Sequence, residues 1–291
     1  MNTFTIRDIE NMSGIKAHTL RVWEQRYGII KPMRKDSLHR LYGIEDLKQI
    51  LRISYLYNQG YKISRIAKMD EHEIKKLSLE LSPKGSFEVF VNQMMEASMD
   101  FDENLFRKIM DSVISHLGME KAMMLVIYPY MQKVGLLWMT GNVIPAQEHF
   151  ASNIIRNKIL FATNQLPLIA KKSRIRYLLF CPPGEFHEIP LIFMQYGLKR
   201  RGITNILFGA DTSVEQLKEY IRKHGATHLF LFLTTNFTNL DPLELLDDLR
   251  TDFPELQLEV AGDSFRSVEA EIPKPVKYFA TANDFLYHLD L

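Results

Sequence analysis

Residues 15–42 read IKAHTLRVWEQRYGIIKPMRKDSLHRLY in one-letter code. A short helix opens after Gly14, with Lys16, His18, Arg21 and Gln25 on or near one face. Leu20, Trp23 and Tyr27 fall on the opposite side and are expected to pack. After Gly28 come Ile29 and Ile30, then Pro32. A polar tip, Arg34-Lys35-Asp36-Ser37, leads into Leu38-His39-Arg40-Leu41-Tyr42. Two short apolar-alternating runs around a polar tip predict a β-hairpin. A helix followed by a basic hairpin is the pattern of a helix-turn-helix reader with a wing. The helix can enter a major groove while the wing grips phosphates. Charge agrees: residues 16–42 hold seven Lys/Arg and two acids, a net +5, whereas the whole chain is only +1. Positive charge concentrated in this way is what phosphate contact requires.

Several separated pieces of this stretch resemble, in order, the winged-helix domain of the MerR family. They are Thr19-Leu20-Arg21-Val22-Trp23-Glu24, then Tyr27-Gly28-Ile29-Ile30 with Pro32, then Arg40-Leu41-Tyr42 before a helix. The resemblance implies a dimeric, sequence-specific transcription regulator that binds double-stranded DNA, with RNA polymerase a further candidate partner. Carried over residue by residue, Arg21 and Arg40 would hold phosphates and Tyr42 would support the wing. Lys16, Ala17 and His18 would stand where such proteins meet base edges. Trp23 stands where the family usually has tyrosine, which keeps the ring and removes the hydroxyl. The candidate DNA-binding residues are Lys16, His18, Thr19, Arg21, Trp23, Arg26, Arg34, His39, Arg40 and Tyr42.

The 291 residues exceed one average domain, and the 46 % hydrophobic and 24 % charged composition suits a soluble protein with ample core. The polar start MNTFTIRDIE has no apolar signal region. No run approaches the roughly 20 apolar residues of a membrane span. The one cysteine, Cys181, excludes an internal disulfide framework and any cysteine-cluster metal site. A cytoplasmic protein with no membrane partner is expected.

In chain order, Thr5 to Met12 reads as a short helix capped by Thr5. Glu45 to Gln59 is a longer one, with Leu47, Ile50, Leu51, Ile53 and Leu56 at helical spacing. Tyr61 to Lys68 is short again. Ser82-Pro83-Lys84-Gly85-Ser86 is a break. Phe87–Ser98, Glu103–Leu117, Met119–Met139 and Pro145–Gln165 then predict a four-helix bundle rich in methionine, most of it core filler. From Arg174 the pattern changes. Short β-rich runs at Tyr177–Cys181, Asn205–Phe208, His228–Leu233, Gln257–Ala261 and Lys277–Phe279 alternate with helical segments. That alternation predicts a parallel α/β sheet, whose ligands bind beyond the carboxyl ends of the strands. The expected architecture is therefore multidomain α and α/β: a winged helix-turn-helix at residues 1–75, a helical cap bundle at 76–172, and a flavodoxin-like parallel domain at 173–291.

The loop after the first strand of that sheet is Pro182-Pro183-Gly184-Glu185-Phe186-His187-Glu188-Ile189-Pro190. His187 is well placed to reach a ligand over the sheet, and either Glu185 or Glu188 could orient its ring. Upstream, Trp138, Gly141 and Pro145-Ala146-Gln147-Glu148-His149 resemble the W-x9-E-H signature of cobalamin-binding helical caps. The α/β region resembles the domain that follows such caps. Together with the reader, the chain resembles the CarH/LitR type of MerR regulator over nearly its whole length. The resemblance implies cobalamin as cofactor, with the His187 ring nitrogen on cobalt from below. Trp138 and Glu148 would lie near the upper axial group, with His149 beside them. Glu185, Thr234 and Gly262 complete the candidate cofactor-binding residues. The usual lower-ligand motif D-x-H-x-x-G is here Glu185-Phe186-His187-Glu188-Ile189-Pro190. Thr234-Thr235 stands for an expected serine, Ala261-Gly262 for Gly-Gly, and Met139 for a histidine of light-sensing members. The expectation is a cobalamin-controlled regulator acting through its oligomer state. The alternative is a regulator whose pocket, narrowed at Pro190 and Ala261, has become a protein-interaction or other small-molecule module. A corrinoid methyl-transfer enzyme would need a methyl-donor domain, for which no residues remain.

Overall fold

Thr5 starts the first helix by a reciprocal cap: its hydroxyl accepts from the Asp8 backbone N–H, and Asp8 Oδ2 accepts from the Thr5 N–H at 2.7 Å. The computed structural model describes residues 3–30, 32–35, 39–80, 87–139, 145–167, 174–234 and 240–290. These fall into two compact units, Met1–Ile154 and Ile155–Leu291.

In the first unit, α1 (Ile6–Ser13) and α2 (Ala17–Tyr27) end on Gly14 at φ +71° and Gly28 at φ +63°. Both are left-handed caps that glycine adopts without Cβ strain. The hairpin is β2 (Met33–Lys35) against β3 (His39–Tyr42), antiparallel, with Arg34 opposite Arg40. Its tip at 36–38, like Lys31, lies outside the described residues. A third strand, β1 (Phe4–Thr5), pairs with β3 and gives the order β1-β3-β2. Two residues are too few to show a period, so the sequence carries no signal for β1. It brings Phe4 opposite Tyr42, and both rings are buried. The expected longer helix is α3 (Ile44–Asn58), which buries Leu47, Ile50, Leu51, Ile53 and Leu56. Next come α4 (Ile63–Ile66) and α5 (Glu71–Glu80). The break expected at Ser82–Ser86 lies outside the described residues.

The bundle consists of α6 (Glu88–Met99), α7 (Glu103–Leu117), α8 (Met119–Ala122), α9 (Tyr128–Met139) and α10 (Pro145–Asn164). A π-helical turn, Met123–Ile127, joins α8 to α9 within the expected third helix. It widens the spiral locally in a run that is apolar throughout, so periodicity does not betray it. Met94, Met95, Met110 and Met123 are buried, as core filler should be. Phe106 sits edge-on to both Tyr130, at 5.4 Å, and Phe150, at 6.1 Å. Among the described residues no helix is long and apolar enough to cross a membrane.

The second unit holds a five-stranded sheet, all parallel: β4 (Arg176–Phe180), β5 (Thr204–Gly209), β6 (His228–Phe232), β7 (Gln257–Ala261) and β8 (Lys277–Phe279). The helices α11 (Ile189–Arg200), α12 (Val214–His224), α13 (Pro242–Asp252) and α15 (Ala282–Leu289) separate or follow the strands as expected. The short α14 (Asp263–Arg266) was not legible in the sequence. The strand order is β5-β4-β6-β7-β8. Counted from β4, that is 2-1-3-4-5, the flavodoxin-like order. Its topological switch point lies between β4 and β6, where the two following loops diverge and leave a crevice.

Candidate functional site

The reader helix α2 has no side-chain cap of its own at Lys16. Glu10 of α1 supplies one: its Oε2 accepts from the Ala17 backbone N–H at 3.1 Å, and its Oε1 pairs with Lys16 Nζ at 3.0 Å. A carboxylate at a helix N-terminus satisfies an orphan donor and suits the macrodipole. The Lys16 bond, then the Ala17 bond, hold Glu10 below the usual carboxylate range. His18, Arg21 and Arg26 are exposed, Thr19 is half-buried, and Arg26 lies over the Tyr27 ring at 5.6 Å. Arg40 on the wing strand is bonded through Nε to Glu24 Oε2 at 2.6 Å. The reader helix and the wing are thus fastened to each other by the second residue after Val22 and the first after His39.

Two of the expected DNA contacts are packing residues in this structure. Trp23 is 3 % exposed and stands edge-on to Tyr57 at 5.0 Å. Tyr42 is 1 % exposed, in keeping with support of the wing. Trp23 thus packs, as its face of α2 predicted, and its buried ring offers little surface to a phosphate. The side chains of Arg34 and His39 lie outside what is described, although their backbones form β2 and β3. A further basic group was not singled out from the sequence. Lys62, Arg65 and Lys68 line one surface hollow with Tyr61 and Ser64, and Arg65 lies over the Tyr61 ring at 5.3 Å. Their spacing of three was the available signal.

At the switch point of the α/β sheet, the loop after β4 carries Glu185 and His187. The Glu185 side chain is wholly buried. Its Oε1 accepts from His187 Nδ1 at 2.7 Å and from the His187 backbone N–H at 2.9 Å. Its Oε2 accepts from the Thr234 backbone N–H, after β6, at 2.7 Å. One carboxylate therefore spans the two diverging loops and orients the ring. Of the two glutamates that could have done so, Glu185 does, while Glu188 pairs with Arg156 at 2.7 Å. The His187 side chain is 57 % exposed. An imidazole that donates Nδ1–H carries its lone pair on Nε2, the arrangement metal-binding histidines use. Thr234 contributes its backbone to this arrangement, and Thr235 lies outside the described residues.

The remaining candidates divide. Pro190 lies in the first turn of α11, where its missing N–H has no helical partner to lose. Gly262 is at φ +116°, and a Cβ there would stand 2.0 Å from the Leu233 carbonyl oxygen. The glycine expected for a cofactor tail is thus also demanded by the backbone of its own loop. Ala261 is 4 % exposed, its methyl enclosed by protein. On α10, Glu148 pairs with His149 Nδ1 at 3.0 Å and accepts from Ser152 Oγ. His149 is exposed. The Trp138 and Met139 side chains and Gly141 lie outside what is described.

Residues 4–73 match the family described as MerR HTH family regulatory protein, and residues 90–160 match the B12 binding domain. The chain is similar to the HTH-type transcriptional repressor CarH of Myxococcus xanthus, 26 % identical over 92 % of this chain and 91 % of that one. This chain thus carries a MerR-type helix-turn-helix and a B12 binding domain. A second M. xanthus repressor, CarA, is 28 % identical over 74 % of this chain and 71 % of its own length. The monomethylamine corrinoid protein of Methanosarcina barkeri superposes with a TM-score of 0.56 at 16 % identity, over 69 % of this chain and 97 % of that one. That likeness is one of fold. The residues present fit a corrinoid at its lower face: a presented imidazole and a buried carboxylate that sets its tautomer, at the switch point of the sheet.

Proposed function

We propose that this regulator binds operator DNA as a homodimer or higher homo-oligomer in the cytoplasm and that cobalamin controls it through the oligomer state. The Glu185–His187 pair carries this reading. A wholly buried carboxylate 2.7 Å from Nδ1 holds the ring so that Nε2 can ligate cobalt. Bound cobalamin would supply a cobalt centre with a replaceable axial ligand. The protein's part is to hold His187 in one orientation, with Glu185 and the Thr234 backbone behind it and the Gly262 loop beside it. Trp138, Glu148 and His149 are the candidates toward the upper axial group. Lys16, His18, Thr19, Arg21, Arg26, Arg34, His39 and Arg40 are the candidates for DNA, with Lys62, Arg65 and Lys68 as additional phosphate contacts.

Control follows from linkage. A ligand alters DNA affinity only as far as it favours one assembly over another, and two heads on one particle read a two-fold site with avidity. RNA polymerase is a further candidate partner of the DNA-bound form.

The first test is a spectrum. The protein is mixed in the dark with adenosylcobalamin or hydroxocobalamin, desalted, and its visible absorbance recorded. Co-eluting corrin bands whose shift disappears in His187→Ala support the reading, and light scattering and gel-shift assays on the two states then test its control of DNA binding. A colourless protein peak overturns it. The second reading, a pocket given over to a protein or another small molecule, rests on Pro190 and the enclosed Ala261 methyl and would then take its place.

A further inference from the structure

Two carboxylates flank His187 within three residues, and the structure assigns them to different partners. Glu185 faces the ring. Glu188 is turned to α10, where Arg156 Nε donates to its Oε1 at 2.7 Å. Its other oxygen lies against Gly209 at the end of β5, where an added Cβ would come within 3.0 Å of Glu188 Oε2. The backbone of Glu188 is fixed as well: its N–H donates to the Phe186 carbonyl at 2.9 Å, and its carbonyl accepts from Ile192 N–H at 2.9 Å at the start of α11. Glu188 is thus seated between α10 and β5, on the same short loop as the imidazole.

We propose that Arg156 is a positioning residue that withholds Glu188 from His187, so that Glu185 sets the ring and Nε2 stays the ligating nitrogen. A histidine with a carboxylate on each side can be bonded at both nitrogens, and a carboxylate on Nε2 occupies the position cobalt needs. The guanidinium removes that competitor by a charge-assisted bond. The proposal rests on the reading that His187 ligates cobalamin.

Its test has one arm without cofactor. In the full chain labelled with 15N-histidine, two-bond 1H–15N correlations report the His187 tautomer, assigned with His187→Ala. The wild type and Arg156→Lys are expected to show Nδ1–H alone. Arg156→Ala is expected to show a mixture with Nε2–H, and Arg156→Ala/Glu188→Ala to return to Nδ1–H. In the second arm, hydroxocobalamin is titrated and the His-ligated absorbance shift followed. Arg156→Ala is expected to weaken it by about tenfold or more, in the range of second-shell losses, with the double variant recovering most of the loss. A purely structural role would leave the double variant at least as impaired as the single one, which overturns the proposal. So does an unchanged tautomer in Arg156→Ala. If the wild type binds no hydroxocobalamin but the tautomer series behaves as expected, the positioning role stands and the cofactor reading falls.

Discussion

The wholly buried Glu259 of β7 accepts a 3.0 Å hydrogen bond on its Oε2 from Tyr177 Oη of β4, reaching past β6. His288 Nε2 of α15 and Lys277 Nζ of β8 stand 3.4 and 3.9 Å from its Oε1, and His228 stacks on the Tyr177 ring at 4.5 Å. Burial raises the Glu259 carboxyl to about 7, against the Tyr177 bond and the Lys277 charge. Burial lowers His228 and His288, with the Lys277 charge acting in the same direction. A titrating group thus sits in the domain core, at the sheet end opposite the His187 loop.

The pH dependence of stability follows. A carboxyl raised on folding keeps its proton where the unfolded chain has released it. Its contribution is full below the unfolded value and is lost as pH rises through about 7. The size is on the order of 3 kcal/mol. Glu259→Gln cannot ionise, so its stability relative to the wild type should climb by that order between pH 4.5 and 8. The two histidines act oppositely, their contribution being present above their unfolded value and lost on acidification. They are common to both proteins and drop from the comparison to first order. Urea titrations at four pH values give the difference, and a flat one rules out Glu259 as the titrating group.

Arg52 of α3 and Glu96 of α6 join the winged helix to the bundle. Arg52 is 7 % exposed; its Nε donates to Glu96 Oε2 at 3.0 Å, a second nitrogen donates to Glu96 Oε1, and a third reaches Glu71 at 3.3 Å. One turn earlier, the buried Lys48 pairs with Asp100 and Glu45. Glu96→Ala strands a buried guanidinium and is expected to cost about 3–5 kcal/mol, whereas Arg52→Met/Glu96→Leu should lie near the wild type or above it. If the single variant costs under about 1 kcal/mol by urea unfolding, the pair is not held dry in solution.

What the sequence made legible depends on what each feature needs. The parallel sheet and its helices were readable because Leu178–Phe180, Leu229–Leu231 and Leu258–Val260 are buried runs bounded by turn residues. The reader and wing were readable from charge and turn chemistry together. Trp23 was legible as a packing residue from its helical face, but not what covers it, because Tyr57 lies far along the chain. The choice between Glu185 and Glu188 was invisible for the same reason: Thr234 and Arg156, which decide it, come from β6 and α10. The Arg52–Glu96 pair was equally hidden, since a buried charge looks like any solvated one until its partner is known.

Gly262 is required by the backbone of its own loop. At φ +116°, with a Cβ that would meet the Leu233 carbonyl oxygen at 2.0 Å, alanine there must displace the chain after β6. That chain includes Thr234, whose N–H holds Glu185. Gly262→Ala is expected to lose more than about 1 kcal/mol and to loosen the His187 ring as well. Thermal unfolding and the His187 15N shifts should therefore change together. A variant with full stability and an unaltered ring would remove Gly262 from the site.

Arg21 and Arg40 should separate DNA contact from fold. Arg21 is exposed on α2, whereas Arg40 is half-buried and bonded to Glu24 at 2.6 Å. Its guanidinium is held firmly charged by that bond. Either residue changed to alanine is expected to weaken binding to all sequences alike and to lower the salt slope by about one. Only Arg40→Ala leaves a carboxylate of the reader helix without its wing partner, so only it should also lower the urea midpoint. Gel-shift titrations at several salt concentrations, set beside urea unfolding of each variant, check both halves. Undiminished affinity in Arg21→Ala would mean that α2 does not approach the phosphates, and an unchanged midpoint in Arg40→Ala would mean that the wing is held by its β3 ladder alone.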